Sequence, residues 1–89
     1  MDFDWDPDKA VSNERKHGVR FEVAQKVFAD PDREDFDVTR QDEGEPRRKV
    51  VGRVNGRLLS LVYTTREGVV RMISARQANV QERRRYGYR

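Results

Sequence analysis

Cysteine is absent from the 89 residues, and His17 is the single histidine. The first absence excludes disulfides and thiolate-based metal sites, and the second excludes a multi-histidine metal centre. No metal and no cofactor are expected, although composition leaves open a magnesium site made of Asp and Glu alone. Apolar runs of membrane-spanning length are also missing. The acidic opening Met1-Asp2-Phe3-Asp4-Trp5-Asp6 lacks the positive charge with which a signal peptide begins. A cytoplasmic protein with no membrane partner is the expectation. Apolar content is low, 35% against 39% charged. A chain of this length is expected to be one domain, residues 1–89, burying only part of its surface. A partner chain that covered some of the remainder would help it.

What is abundant is positive charge, unevenly placed. The net charge is only +3. Residues 1–29 are near neutral, with five basic and six acidic side chains. Residues 30–46 carry two basic and eight acidic, a net of −6. Residues 47–89 carry twelve basic and two acidic, a net of +10. Such asymmetry points to a polyanion partner for the C-terminal half. The plainer alternative is an arginine-rich solvated surface.

The basic stretch from Arg47 to Arg76 also carries the clearest structural signal. Asn55-Gly56 separates Arg-Arg-Lys-Val-Val-Gly-Arg-Val from Arg-Leu-Leu-Ser-Leu-Val-Tyr-Thr. Asn-Gly between two β-rich runs predicts a two-residue hairpin turn, because both turn residues need positive φ. Val54 then faces Arg57, Gly52 faces Leu59, Val50 faces Leu61 and Arg48 faces Tyr63. That face is apolar and should be the core side. The other face carries Arg47, Lys49, Val51, Arg53, Leu58, Ser60, Val62 and Thr64, a mixture of basic, apolar and hydroxyl side chains. If Glu67-Gly68 is a second two-residue turn, Thr64 pairs with Arg71 and Val62 with Ile73. Val70 and Met72 join the core side, and Arg47, Thr64 and Arg71 form one row on the other.

Before this meander, Phe3-Asp4-Trp5 alternates like a short edge strand. Asp6-Pro7 opens a helix, with Asp6 as cap and Pro7 in the first position, where its missing donor is not needed. Gly18 is the left-handed stop after His17. Phe21, Ala24, Val27 and Phe28 recur at helical spacing and predict a second short helix, ended by Asp30-Pro31. Asp32 to Pro46 is acidic, with a short strand around Phe36 and Val38 and then an exposed loop. At the other end, Asn79-Val80-Gln81-Glu82 has capping-box spacing and opens a basic helix to about Tyr86. The expected fold class is α+β. It is a small single domain with an antiparallel β-meander of about four strands, two short N-terminal helices and one C-terminal helix, all helices on one sheet face.

Several segments together resemble the BrnT toxins. They are Asp4-Trp5-Asp6-Pro7-Asp8-Lys9-Ala10, Asn13, Lys16-His17-Gly18-Val19 with Phe21, and Ala24, Val27-Phe28 and Asp30-Pro31. They continue with Gly44-Glu45 and Arg47, Gly52-Arg53, Tyr63-Thr64, Ile73-Ser74-Ala75-Arg76 with Ala78, Glu82-Arg83 and Tyr86. Family members often flank the arginine at Arg47 with a glutamate and a bulky apolar residue; here Pro46 and Arg48 stand there. The resemblance implies a RelE-like fold and a ribonuclease toxin of a type II toxin–antitoxin system that arrests translation. It implies a BrnA-type ribbon-helix-helix antitoxin as partner, a heterotetramer, and contact with operator DNA only through that antitoxin.

Cleaving RNA through its 2′-hydroxyl needs a proton acceptor, cations around the pentacoordinate phosphate, and a donor for the leaving 5′-oxygen. One histidine and many arginines suit metal-independent cleavage by a dispersed basic set. The candidate catalytic residues are His17, Arg53 and Arg76. His17 alone has an ordinary pKa near neutrality, but its place before Gly18 favours a helix-capping role. Arg53 on the polar face and Arg76 at the end of the last strand suit phosphate contact, against the reading of surface charge or an ion pair. Arg47 and Arg71 form a second tier for substrate binding, with Thr64 as a neutral hydrogen-bond partner between them. Glu45 is a base or a partner for Arg47, though a loop carboxylate is more often neither. Trp5, Tyr86 and Tyr88 could stack on bases, and the two tyrosines could equally be the part that an antitoxin covers. A non-catalytic nucleic-acid-binding module, or a structural subunit of a DNA-binding repressor complex, would use the same basic surface.

Overall fold

Two tight turns organise the sheet. Asn55 and Gly56 take φ of 50° and 81°, and Glu67 and Gly68 repeat those values. Both are left-handed pairs whose twist matches that of the flanking strands. A computed structural model of the chain describes residues 1–41 and 44–87. Asp42 and Glu43 of the expected loop, and Tyr88, lie outside the described residues.

The strands are β1 (Asp2–Asp4), β2 (Glu34–Asp37), β3 (Arg48–Val54), β4 (Arg57–Arg66) and β5 (Val69–Gln77). The helices are α1 (Pro7–His17), α2 (Phe21–Ala24) and α3 (Val80–Gly87), with a 3-10 helix at Gln25–Ala29. The sheet order is β1-β5-β4-β3-β2. The meander β2–β5 is antiparallel, but β1 runs parallel to β5. The sheet is therefore five-stranded and mixed, which corrects the expected four-stranded antiparallel sheet. The β3–β4 register matches the expected pairing at every position, from Val54 with Arg57 to Arg48 with Tyr63.

Between β4 and β5 the expectation fails at one point. Thr64 pairs with Arg71 as anticipated, but Val62 pairs with Ser74 rather than Ile73. Ile73 is the extra residue of a β-bulge. A bulge inserts one residue without a cross-strand partner and reverses the parity of everything beyond it. Strict alternation from Val70 and Met72 would have aimed Arg76 into the core. The bulge instead pairs Arg76 with Ser60, so it shares the polar face with Arg71.

The core-side face is filled from one direction by α1, α2 and the 3-10 helix. Phe21, Val27, Val50, Leu59, Leu61 and Ala75 are fully buried there, with Val19 and Met72 nearly so. Each large apolar side chain so buried stabilises by about 1.5–3 kcal/mol. Phe28 packs edge-on against Tyr63, with centroids 5.1 Å apart, and tilts onto Phe3 at 5.6 Å. Trp5 meets Phe21 edge-on at 5.8 Å, so its ring packs on the core rather than standing free for a base.

The expected second α-helix is α-helical only to Ala24 and tightens into 3-10 geometry from Gln25. This segment lies close on β3. A Cβ at Gly52 would stand 3.1 Å from the Val27 carbonyl oxygen and 3.2 Å from its Cβ. Helix α1 begins and ends as anticipated. Asp6 accepts from the Asp8 N–H at 2.8 Å, and Gly18, at φ 70°, donates to the Glu14 carbonyl.

β1 covers the outer edge of β5 only at Val69–Arg71. Farther along, the buried Asn13 of α1 takes its place. Its amide donates to the Ala75 carbonyl at 2.9 Å and accepts from the Ala75 N–H at 3.0 Å, and it also donates to Val19 O. Helix α3 lies on the opposite face, over a second small cluster of Val51, Leu58, Ala78, Phe36 and Tyr86. The helices thus flank both faces rather than one. Among the described residues no helix is long and apolar enough to cross a membrane.

Candidate functional site

The polar face carries a cleft of about 420 Å³. Arg40, Arg47, Lys49 and Arg76 supply its cations, and Ser74, Val62 and Ile73 its floor. Lys49 projects from β3 beside the Phe36 ring, 5.2 Å from the centroid. Arg76 reaches the same space only because of the bulge at Ile73. Arg47 precedes β3 and is clasped by the turn after β2. Its carbonyl accepts from Val38 N–H at 2.9 Å, and its N–H donates to Thr39 Oγ1 at 2.8 Å. Asp37 closes that turn by accepting from Thr39 N–H, and its bonds to Thr39 hold its carboxyl below the usual range.

Behind the cleft stands Glu82, 7% exposed. It is the third residue of α3 and completes the anticipated capping box, in which Asn79 N–H donates to Glu82 Oε1 and Glu82 N–H to Asn79 Oδ1. The same carboxylate binds Arg76 through both Nη atoms, at 2.8 and 3.0 Å, Lys49 Nζ at 2.7 Å and Ser60 Oγ at 3.2 Å. Burial pushes its carboxyl up, but Arg76, Lys49 and the Asn79 N–H more than offset that and hold it at about 2. The ion pair of Arg76 is thus with its own C-terminal helix, not with the acidic loop. The acidic segment pairs elsewhere, β2 through Asp35 with Arg48 and Glu34 with Arg85, and the loop through Glu45 with Arg66. Glu45 is taken up by Arg66 in a two-pronged pair.

Of the six sequence candidates, the structure brings Arg47 and Arg76 together. Arg53 is on the anticipated face but four residues along β3 from Lys49, roughly 13 Å away at strand spacing. Its guanidinium lies over the Tyr86 ring, 5.5 Å from the centroid, and the Arg53 backbone N–H donates to Asp30 Oδ2 at 2.7 Å. Tyr86 donates to the same oxygen at 2.7 Å. Burial works against the Asp30 carboxylate, but the bonds from Arg53, Tyr86 and Asp32 leave its carboxyl lowered. Arg71 is half-buried and pairs with Asp4 across the parallel strands at 3.4 Å. Thr64 is 2% exposed and its hydroxyl donates to Pro46 O at 2.6 Å. Its row with Arg71 exists, yet the threonine acts there as a strap on the backbone next to Arg47. His17 sits in the last turn of α1, as expected. It lines a separate depression of about 190 Å³ with Lys9, Ser12 and Lys16, and Ile73 and Ser74 line both this depression and the cleft.

Sequence reasoning passed over Lys49, Arg40, Ser74 and Glu82. Lys49 alternates with Arg47 and Arg53, which was a usable signal. Glu82 is one of only two acids among residues 47–89 and stands next to three arginines; its isolation marked it. Among the described residues no group of three or more His, Asp or Glu side chains is placed to hold a metal ion.

The model of a family described as "Ribonuclease toxin, BrnT, of type II toxin-antitoxin system" matches residues 5–82. A search of the curated proteins finds no match.

Proposed function

The chain belongs to the BrnT family of ribonuclease toxins of type II toxin–antitoxin systems, and we propose that it cuts RNA in the cleft between Arg47, Lys49 and Arg76. The observation that carries this reading is the convergence of cations from β3, β5 and the segment before β3 on one concave space. None of the described residues lining that space is a carboxylate. A phosphodiester is the ligand such a wall fits, because guanidinium groups bind phosphate through paired N–H donors.

In the proposed reaction the 2′-hydroxyl oxygen attacks the adjacent phosphorus and the bond to the 5′-oxygen breaks. The products are a 2′,3′-cyclic phosphate and a 5′-hydroxyl. Arg47 and Arg76 stabilise the charge that gathers on the phosphoryl oxygens. The Lys49 ammonium gives a proton to the leaving oxygen. His17 accepts the 2′-hydroxyl proton, which is supported by the Ile73–Ser74 wall that its depression shares with the cleft. The cations supply the charge that a metal would otherwise supply, so the reaction is metal-independent and RelE-like in its use of dispersed basic groups. Arg53 and Arg71 fall outside the cleft and act on the fold or on flanking RNA.

The partner is an antitoxin, and we assign it the BrnA type, a ribbon-helix-helix protein that covers the basic face in a heterotetramer. Operator DNA is then reached only through that partner. Co-expression with the neighbouring reading frame and light scattering of the purified complex test this.

The cleavage test is direct. Purified protein in EDTA should cut RNA and leave 2′,3′-cyclic phosphate ends. Arg76→Ala and Arg47→Ala should each slow cutting by about 10² to 10³, the loss typical of one preorganised charge-stabilising donor. Both variants cutting at the wild-type rate would place the chemistry elsewhere. RNA binding with no cutting by the wild type would make the protein a binding module.

A further inference from the structure

Glu82 is a buried carboxylate that the reaction above does not use, yet it bonds two of the cleft's cations at once. A guanidinium has five N–H groups. In Arg76 one Nη1–H goes to Gln77 O at 3.1 Å, and one from each Nη goes to Glu82. What remains is the Nε–H and one Nη2–H, side by side on a single edge, with no partner among the described residues. That edge is a ready two-pronged donor for a phosphate. Lys49 is oriented by the same carboxylate, with its ammonium also set against the Phe36 ring. The carboxylate is itself fixed, by Ser60 Oγ from the sheet and by Asn79 N–H in the α3 cap.

We propose that Glu82 is a positioning residue, which locks the Arg76 fork and the Lys49 ammonium in catalytic orientation and in exchange weakens their attraction for RNA. The inference rests on the cleft being the cleavage site. Two cations facing one space repel each other and rotate freely; a shared counter-anion behind them removes both problems. The same negative charge subtracts from the potential that draws a phosphate in. Orientation and affinity are therefore set against each other by one side chain.

This opposition gives a readout that a merely structural role would not. In Glu82→Gln the charge is gone and the cations are loosened. The turnover number on RNA should fall by about 10², while Kd for a non-cleavable 2′-O-methyl oligonucleotide should tighten several-fold with a steeper salt dependence, by about one further phosphate contact. Glu82→Asp keeps the charge but withdraws it by one methylene. It should lose turnover and keep the wild-type Kd, and it decides the matter if the glutamine variant does not fold. A parallel loss of turnover and affinity in both variants would make Glu82 a simple structural residue. Unchanged or faster turnover would also overturn the proposal, the latter making Glu82 a brake. A wild type that cuts no RNA removes the cleft reading itself, an outcome seen before any variant is made.

Discussion

The two faces of the sheet are held by different forces. On one, α1, α2 and the 3-10 helix bury an apolar layer in which Phe21, Leu59 and Leu61 have no exposure at all. On the other, α3 rests on a much smaller apolar cluster and is fastened by charge. Glu82 grips Arg76 and Lys49, Tyr86 bonds Asp30, and Arg85 pairs with Glu34. Apolar burial is non-directional and insensitive to pH. A buried carboxylate among cations is directional and depends on staying ionised. The first face can serve as a scaffold, and the second is where a small change of charge alters what the protein does.

The largest expected effect is on the scaffold face. Leu61→Ala should lower stability by about 3–4 kcal/mol, measured by urea unfolding, with cleavage per folded molecule close to wild type. Loss of cleavage at unchanged stability would break the distinction between the faces. Acid should single out the charged face. Glu82 is held at about 2 against an ordinary 4.5. A carboxyl lowered in the folded state contributes stability that is complete above pH 4.5 and is lost as pH falls toward 2. On the order of 3 kcal/mol should disappear over that window. Glu82→Gln should flatten that part of the curve while Leu61→Ala shifts the curve without changing its shape. A smaller effect should come from Gly52→Ala. The added Cβ meets a backbone carbonyl of the 3-10 helix, and crowding of that kind costs about 1–3 kcal/mol, seen as a lowered Tm. A stabilised variant would mean that the 3-10 segment gives way easily.

The same division governs what the sequence could disclose. The scaffold face was legible because period-two alternation and the Asn55-Gly56 turn fix it locally. Every β3–β4 pair followed from that turn. The caps at Asp6, Gly18 and Asn79 were legible for the same reason, since each is settled within four residues. The polar face was not, because its decisive feature is an extra residue at Ile73. No local preference marks Ile73 as unpaired, and without the bulge Arg76 would be read on the wrong side. The parallel pairing of β1 was hidden too. It joins residues 2–4 to residues 69–71, with no turn between them to set direction. Arg53 illustrates the limit of face assignment. Alternation put it on the right side of the sheet but gave no position along it, and Tyr86 takes it up at the far end.

Asn13 has a consequence for how this protein behaves in a crowd. The outer side of β5 is a strand with its hydrogen-bonding groups turned outward, and a strand left that way recruits the strand of a neighbouring molecule. β1 occupies three residues of it, and the carboxamide of Asn13 imitates one more by giving and taking a bond at Ala75. A single side chain, carried on a helix, thus occupies the edge of β5 beyond β1, where another strand could otherwise pair.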